Sequence, residues 1–123
     1  MDENEIIYSY TRKQAIADGV LIDVTELAKE AGFKCPVAFT SSVYERHVRV
    51  PEDVVDQDET GRLWDVLWLL RYAAMKSPEK SELLFKLSER KGNNEMEIVS
   101  LKAICGPDDD GEVCLTVMLP EED

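Results

Sequence analysis

The first third of the chain alternates short apolar runs with helix caps and glycine stops. Thr11 and Gln14 have the residue types and spacing of a capping box, which predicts a helix from about Arg12 to Asp18. Gly19 predicts the end of this helix, because glycine tolerates the left-handed backbone conformation at which helices stop.

The next apolar runs predict a strand-like segment and two further short helices. Val20–Val24 is compact and apolar, which is typical of a strand or an extended segment. Thr25 is the expected cap of a helix over Glu26–Ala31, which Gly32 ends. In Val37–Val48 the spacing of apolar residues favours a helix slightly over a strand.

The clearest element is a long helix over Glu59–Lys76. Apolar residues lie on nearly every side of it, which predicts a central helix that is buried on most faces and wet along one stripe. The stripe consists of Arg62, Asp65, Tyr72 and Lys76. Trp64 and Trp68 are four residues apart and can stack on one face, and their large apolar area predicts that both belong to the core.

The C-terminal third changes to an alternation of apolar and polar residues, the pattern of half-buried strands. Three such runs contain Phe85, Leu101 and Leu115, and turn sequences separate them. Strands joined by short turns pair antiparallel, so the sequence predicts a three-stranded meander with its apolar face on the long helix. The expected fold is one α+β domain over residues 1–123 with short N-terminal helices, frayed at 1–5 and 120–123.

The chain is strongly acidic: 26 acids against 14 bases give its 123 residues a net charge of −12 with the single histidine neutral. Direct binding to nucleic acid needs clustered lysine and arginine, so the charge argues against it, as it does against anionic membranes. No apolar run could span a bilayer and the first residues are acidic, which predicts a cytoplasmic protein. A basic partner is favoured, either a host protein or a ribonucleoprotein complex.

Sequence motifs for catalysis or cofactor binding are missing. His47 is the single histidine, which removes most metal sites and proton relays, and pairing it with Cys35 as base and nucleophile would need proximity in the fold. Asp56–Gly61 resembles the start of a calcium loop, but Leu67 stands where a bidentate glutamate is needed. The sequence therefore predicts a protein that is not an enzyme and holds no cofactor or metal.

The three cysteines are an odd number without metal-ligand spacing. This predicts small buried residues, Cys35 among them, that stay thiols in a reducing compartment. Cys105 and Cys114 flank a predicted turn and could face each other across a hairpin, which leaves a disulfide open under oxidation.

Scaffold-like motifs lie between residues 8 and 76, in Tyr10–Val24, Ala31–Phe33, Pro36–Thr40 and Trp64–Leu70. Together they resemble a family of small uncharacterised bacterial proteins carried on plasmids, prophages and other mobile elements, with no assigned catalytic residues. The resemblance implies a mobile element as the genomic setting. Small acidic proteins of such elements frequently inhibit restriction or CRISPR machinery by occupying its nucleic-acid-binding surface.

Acidic residues gather in four clusters, Asp2–Glu5, Glu52–Glu59, Asp108–Glu112 and Glu121–Asp123. One hypothesis is an acidic, non-catalytic inhibitor, an anti-CRISPR or anti-restriction factor, whose carboxylates replace DNA phosphates on a basic, nucleic-acid-binding protein surface. The expected contacts are Glu52, Asp53, Asp56, Asp58, Glu59, Asp108, Asp109, Asp110 and Glu112. The alternative is an accessory module of a mobile element that binds a partner through an apolar patch or a sheet edge, with the acid only solubilising it.

Overall fold

A computed structural model describes residues 10–50, 52, 54, 58–90 and 95–122. The elements, in chain order, are α1 (Arg12–Ala17), β1 (Leu21–Asp23), α2 (Thr25–Glu30), β2 (Val37–Thr40), α3 (Ser41–Val43, continued by a π-helical turn over Tyr44–Val48), α4 (Glu59–Lys76), β3 (Glu82–Arg90), β4 (Met96–Pro107) and β5 (Val113–Met118). One long helix thus separates a first half of short elements from three longer strands.

The strands form a five-stranded mixed sheet in the order β1-β2-β5-β4-β3. β3, β4 and β5 pair antiparallel in chain order, as the alternating pattern predicts. The prediction that the sheet stops at these three strands is wrong, because β2 adds in parallel to the free edge of β5 and β1 pairs antiparallel with β2. The fold is α+β, with α4 packed on one face of this sheet.

Residues Val37–Thr40 form a strand where the apolar spacing favours a helix. The spacing crosses a junction, because Thr40 ends β2 and its hydroxyl then caps α3 by accepting the amide of Val43 at 3.3 Å. Every apolar residue of β2, from Val37 to Phe39, is fully buried. A strand covered on both faces has no polar alternation that would distinguish it from a helix.

The N-terminal helix caps follow the sequence signals in part. In α1 the capping box forms, since the amide of Gln14 donates to Thr11 Oγ1 at 3.0 Å and the amide of Thr11 donates to Gln14 Oε1 at 2.9 Å. α2 begins at Thr25 itself, so the prediction of Thr25 as its cap is wrong. The Asp23 carboxylate instead accepts the amide and the hydroxyl of Thr25. Gly32, at a φ of 104°, follows α2.

α4 has the bounds that the sequence predicts, but its buried side differs from the prediction. The side on the sheet consists of Leu63, Val66, Leu67 and Leu70. Arg62, expected on the wet stripe, is only 6% exposed, whereas Trp64 and Trp68, expected in the core, are 36% and 52% exposed. Both predictions are wrong because a helix that is apolar almost all round does not show which side the sheet will cover.

α4 runs along the sheet from one end of the strands to the other. Near its start, Arg62 donates to the carbonyl of Arg90, the last residue of β3. Near its end, Ala74 lines a cavity together with Leu83 of β3 and Cys105 of β4. We call these the Arg90 end and the Cys105 end; the β4–β5 turn lies at the Cys105 end, because β4 stops two residues beyond Cys105.

The last described residues are held against the sheet, although residues 120–123 were expected to fray. The Glu122 carboxylate accepts the hydroxyl of Thr40 and the amide of Leu119, both at 2.8 Å, and the Glu122 carbonyl accepts Lys102 Nζ. Thr40 and Lys102 are far from Glu122 in the sequence, so the sequence pattern does not predict these contacts. Residues 1–5 and 123 lie outside the described residues. Within the described ranges, no helix has the length and apolar character needed to cross a membrane.

Candidate interaction surfaces

The acidic residues expected to bind a basic partner lie at two separate places. Glu52, Asp58 and Glu59 precede or begin α4 at the Arg90 end, whereas Asp108–Glu112 form the β4–β5 turn at the Cys105 end. α4 has 18 residues, so its length separates the two groups by roughly 27 Å. Asp53 and Asp56 lie outside the described residues. The structure therefore does not bring the two groups into one acidic patch.

Two acids at the start of α4 support the local fold. Asp58 is the N-cap of α4, and its carboxylate accepts the amide of Gly61 at 2.6 Å. Burial, and then a hydrogen bond from its hydroxyl to Glu59, raise the pKa of Tyr44 in the π-helical turn. These two carboxylates thus have partners within the chain, and Glu52, which precedes α4, is exposed.

The β4–β5 turn uses two of its acids in the same way. Asp109 accepts the amide of Arg12 at 2.8 Å and that of Lys13 at 2.9 Å, so it holds the start of α1. The hydrogen bonds from Lys13 and Arg12 lower the pKa of the Asp109 carboxyl, since they favour its ionised form. Asp108 Oδ1 accepts the amides of Asp110 and Glu112, both at 2.9 Å, which closes the turn.

An aromatic surface on α4 is the feature that the sequence misses. Trp64, Trp68, Tyr72 and Met75 follow one another at spacings of four, four and three residues, which places them in one line along the helix. They are 36%, 52%, 58% and 66% exposed, respectively. The indole rings stack with their centroids 6.3 Å apart and their planes at 14°. We call these four residues the α4 aromatic surface.

Charged side chains border the α4 aromatic surface on both flanks. The Arg71 guanidinium lies 5.6 Å from the centre of the Trp68 ring, and Lys76 Nζ lies 4.5 Å from the centre of the Tyr72 ring. Asp65 is exposed beside the two indoles. Gly32 makes room for Arg71, because a Cβ atom at Gly32 would lie 2.7 Å from Arg71 Nε. The cationic groups thus lie toward the C-terminal half of α4.

A second group of exposed apolar side chains lies on the sheet face opposite α4. Leu84 of β3 and Met96 and Ile98 of β4 all have most of their surface exposed. We call them the outer-sheet residues. They contain no aromatic ring, and polar Ser88 lies directly across from Ile98 in the register. These residues are exposed and apolar but not aromatic, so they supply control substitutions for the α4 aromatic surface.

The structure separates the one pair of residues considered for nucleophilic catalysis. His47, in the π-helical turn, contacts Glu89 at 2.8 Å between Nδ1 and Oε2, and both side chains are buried at the Arg90 end. Cys35 lines the cavity at the Cys105 end. His47 and Cys35 therefore lie at opposite ends of α4, and a Cys–His dyad does not form.

The cysteines are free thiols set around the Cys105 end. Cys114 pairs with Gly106 in the register while Cys105 pairs with Leu115, so the two cysteines point to opposite faces of the sheet and do not face each other across the hairpin, a possibility that the sequence leaves open. Burial raises the pKa of both Cys35 and Cys114. Cys35 and Cys105 line an apolar cavity of about 180 Å³. Over the described part of the chain, no three His, Cys, Asp or Glu side chains are grouped to hold a metal ion.

Comparison with known proteins gives one match. A model of a family of unknown function, DUF6573, matches residues 1–123, the full length of the sequence. The chain belongs to DUF6573. Its resemblance to an uncharacterised family is therefore confirmed, whereas the bacterial and mobile-element setting of that family stays a prediction. No curated protein and no solved structure matches this DUF6573 chain.

One sequence signal could have located the aromatic surface of this DUF6573 protein. Gly61 and Asp65 lie on the same side of α4 as Trp64 and Trp68, at helical spacings. A glycine and a carboxylate are poor residues for the side of a helix that packs on a sheet. Their position marks the tryptophan side as the side facing away from the core.

Proposed function

We propose that this chain is a non-catalytic protein-interaction domain that binds its partner through the α4 aromatic surface. The observation that carries the proposal is the exposure of Trp64, Trp68, Tyr72 and Met75 in one line on a single helix. Tryptophan, tyrosine and arginine dominate the binding energy of protein interfaces. All three residue types are present here, with Arg71 stacked on Trp68.

The size of the surface fits the centre of an interface. Aromatic side chains have about 150–250 Å² of surface each, so the exposed fractions give roughly 400 Å² for the four residues. A standard interface covers about 800 Å² per partner, with an apolar centre and a polar rim. Asp65 and Lys76 supply polar rim groups next to the aromatic centre.

α4 is held in place by the sheet and by its N-cap, so its side chains can bind a partner without a large loss of conformational entropy. Leu67 and Leu70 are fully buried against the sheet, and Asp58 caps the first turn. Side chains on a fixed helix lose less conformational freedom on binding than side chains on a loop. On this proposal the acids keep the protein soluble and supply caps and turns.

A second candidate is the acidic inhibitor of a basic, nucleic-acid-binding protein surface. It is supported by the net charge of −12 and by the exposed carboxylates of Asp110 and Glu112 on the β4–β5 turn. The role as a counter-defence factor, anti-CRISPR or anti-restriction, rests in addition on the mobile-element setting that the resemblance implies. The second candidate needs a target that either acidic end can contact alone.

Affinity capture with matched variants separates the two candidates. The full chain is used as bait in a lysate of bacteria that also express the untagged chain at high level, beside Trp68→Ala, Ile98→Ala and the pair Asp110→Asn with Glu112→Gln. The proposal expects a partner that stays bound at about 1 M salt, where the screening length is about 3 Å, and that Trp68→Ala alone loses. Ile98→Ala is the control, since Ile98 is 71% exposed on the outer sheet.

The contrary result is equally specific. A partner that Trp68→Ala retains, that dissociates at high salt and that the neutralised turn loses would replace the proposal with the acidic inhibitor. Binding of that kind weakens mainly through the association rate, because long-range attraction speeds encounter.

A further inference from the structure

We propose that the partner of the α4 aromatic surface is a second copy of this chain, docked with the two α4 helices antiparallel. The inference rests on the proposed function and names its partner. Its basis is the self-complementary order of residues along α4, since a two-fold interface requires that residue i meet residue j and that j meet i.

The apolar residues of α4 match when the helix is laid antiparallel on its own copy. A two-fold axis near Leu70 places Trp68 opposite Tyr72 of the second copy, and Trp64 opposite Met75 of the second copy. Each large ring then faces another large apolar side chain. A parallel arrangement would place Trp64 on Trp64 and Met75 on Met75, and the helix dipoles would also repel.

One pair of charges beside the apolar line matches in the same arrangement. Asp65 and Lys76 are eleven residues apart, close to three full turns, so they lie on one flank of the line. About the same axis, Asp65 faces Lys76 of the second copy, and the pair occurs twice. A parallel pair would place this flank of the two copies on opposite sides of the contact, so the Asp65–Lys76 pairing is available only in the antiparallel arrangement.

Three features make the dimer a weak one. Roughly 400 Å² per copy is about half of a standard interface, and each copy has a net charge of −12. The two Arg71 guanidiniums also approach each other near the axis, although each is stacked on Trp68. We therefore expect weak association, with a dissociation constant on the order of tens of micromolar as the value for which the test is designed, and tighter association as salt screens the repulsion between copies.

Sedimentation equilibrium of the full chain tests the proposal, over concentrations up to about 500 µM, some ten times the expected constant. The expected result is a monomer–dimer equilibrium that Trp68→Ala abolishes and Ile98→Ala leaves unchanged. Circular dichroism melts establish that both variants are folded. A chain that stays monomeric throughout overturns the proposal, as does a dimer that Trp68→Ala does not weaken.

Charge reversal tests the arrangement while keeping every aromatic residue; Asp65→Lys leaves the ring contacts in place, whereas Lys76→Glu also removes the cation over Tyr72. Asp65→Lys and Lys76→Glu each place like charges together twice, so each weakens the dimer about tenfold, and the double variant restores it to within about threefold. Failure of the double variant to recover overturns the antiparallel arrangement. If the chain is monomeric while Trp68→Ala still loses a captured partner, the second copy is refuted and the proposed function stands; a captured partner that Trp68→Ala retains refutes the proposed function itself.

Discussion

Replacement of Arg62 by methionine tests where α4 meets the rest of the chain. Arg62 is 6% exposed; one of its nitrogens, Nη2, donates to the carbonyl of Arg90, and Nη1 lies 3.4 Å from the carbonyl of Arg49. It thereby joins the first turn of α4 to the end of β3 and to the residue after the π-helical turn. Methionine keeps much of the side chain's volume and removes every donor.

The expected cost follows from these contacts. A hydrogen bond from a charged donor contributes about 1.5–3 kcal/mol, and the contact to the Arg49 carbonyl is too long to add much. Arg62→Met should therefore lower the free energy of unfolding by about 2–3 kcal/mol. For a domain of this size the melting temperature should fall by roughly 10 °C.

Urea denaturation measures the difference, with Arg46→Met as the matched control. Arg46 is 62% exposed in its side chain, and its nitrogen lies 3.9 Å from a Glu121 oxygen, so its replacement should cost no more than about 0.5 kcal/mol. If Arg62→Met also stays within about 0.5 kcal/mol, Arg62 belongs on a wet stripe and the packing of α4 described above is wrong.

Three further results are expected from the same chain. Asp109→Ala should lower the melting temperature at pH 7. The difference in melting temperature from the wild type should shrink as the pH falls below about 4. The reason is that a carboxyl with a lowered pKa stabilises the fold above its unfolded pKa and loses that effect in acid. Gly32→Ala should cost more in urea denaturation than Gly19→Ala, since both glycines have positive φ but only Gly32 lies against Arg71. The Cys35 thiol should be alkylated at least about tenfold more slowly in the folded chain than in urea, because burial raises its pKa. Mass spectrometry measures the alkylated fraction over time, and equal rates in the two conditions would place Cys35 on the surface.

The elements that the sequence predicts well are those whose signals are local. The capping box of α1 and the bounds of α4 depend on residues within a few positions of each other. The alternation in β3, β4 and β5 is equally local, and the turns between them dictate antiparallel pairing. Because the residues that specify these features are close together in the chain, the sequence pattern alone shows them.

The parts that the sequence could not predict depend on contacts between distant residues. β2 pairs with β5, which lies more than seventy residues later, and its fully buried residues carry no period. Asp109 was expected to face a partner, yet it holds the first amides of α1 from nearly a hundred residues away. The sequence of an acidic loop shows its charge, but it does not show which backbone amides will donate hydrogen bonds to its carboxylates in the folded chain.

The incorrect prediction that Trp64 and Trp68 are buried has a physical cause in the composition of α4. α4 is apolar on nearly every side, and a helix of that kind is ordinarily buried all round. Within one copy only the side of Leu67 and Leu70 is buried, so about half of the apolar surface of α4 stays exposed to solvent. A second copy placed on the α4 aromatic surface would cover the other half. The expectation that the tryptophans belong to a core would then hold for the pair of chains, which is why a concentration-dependent change in indole exposure should accompany dimer formation.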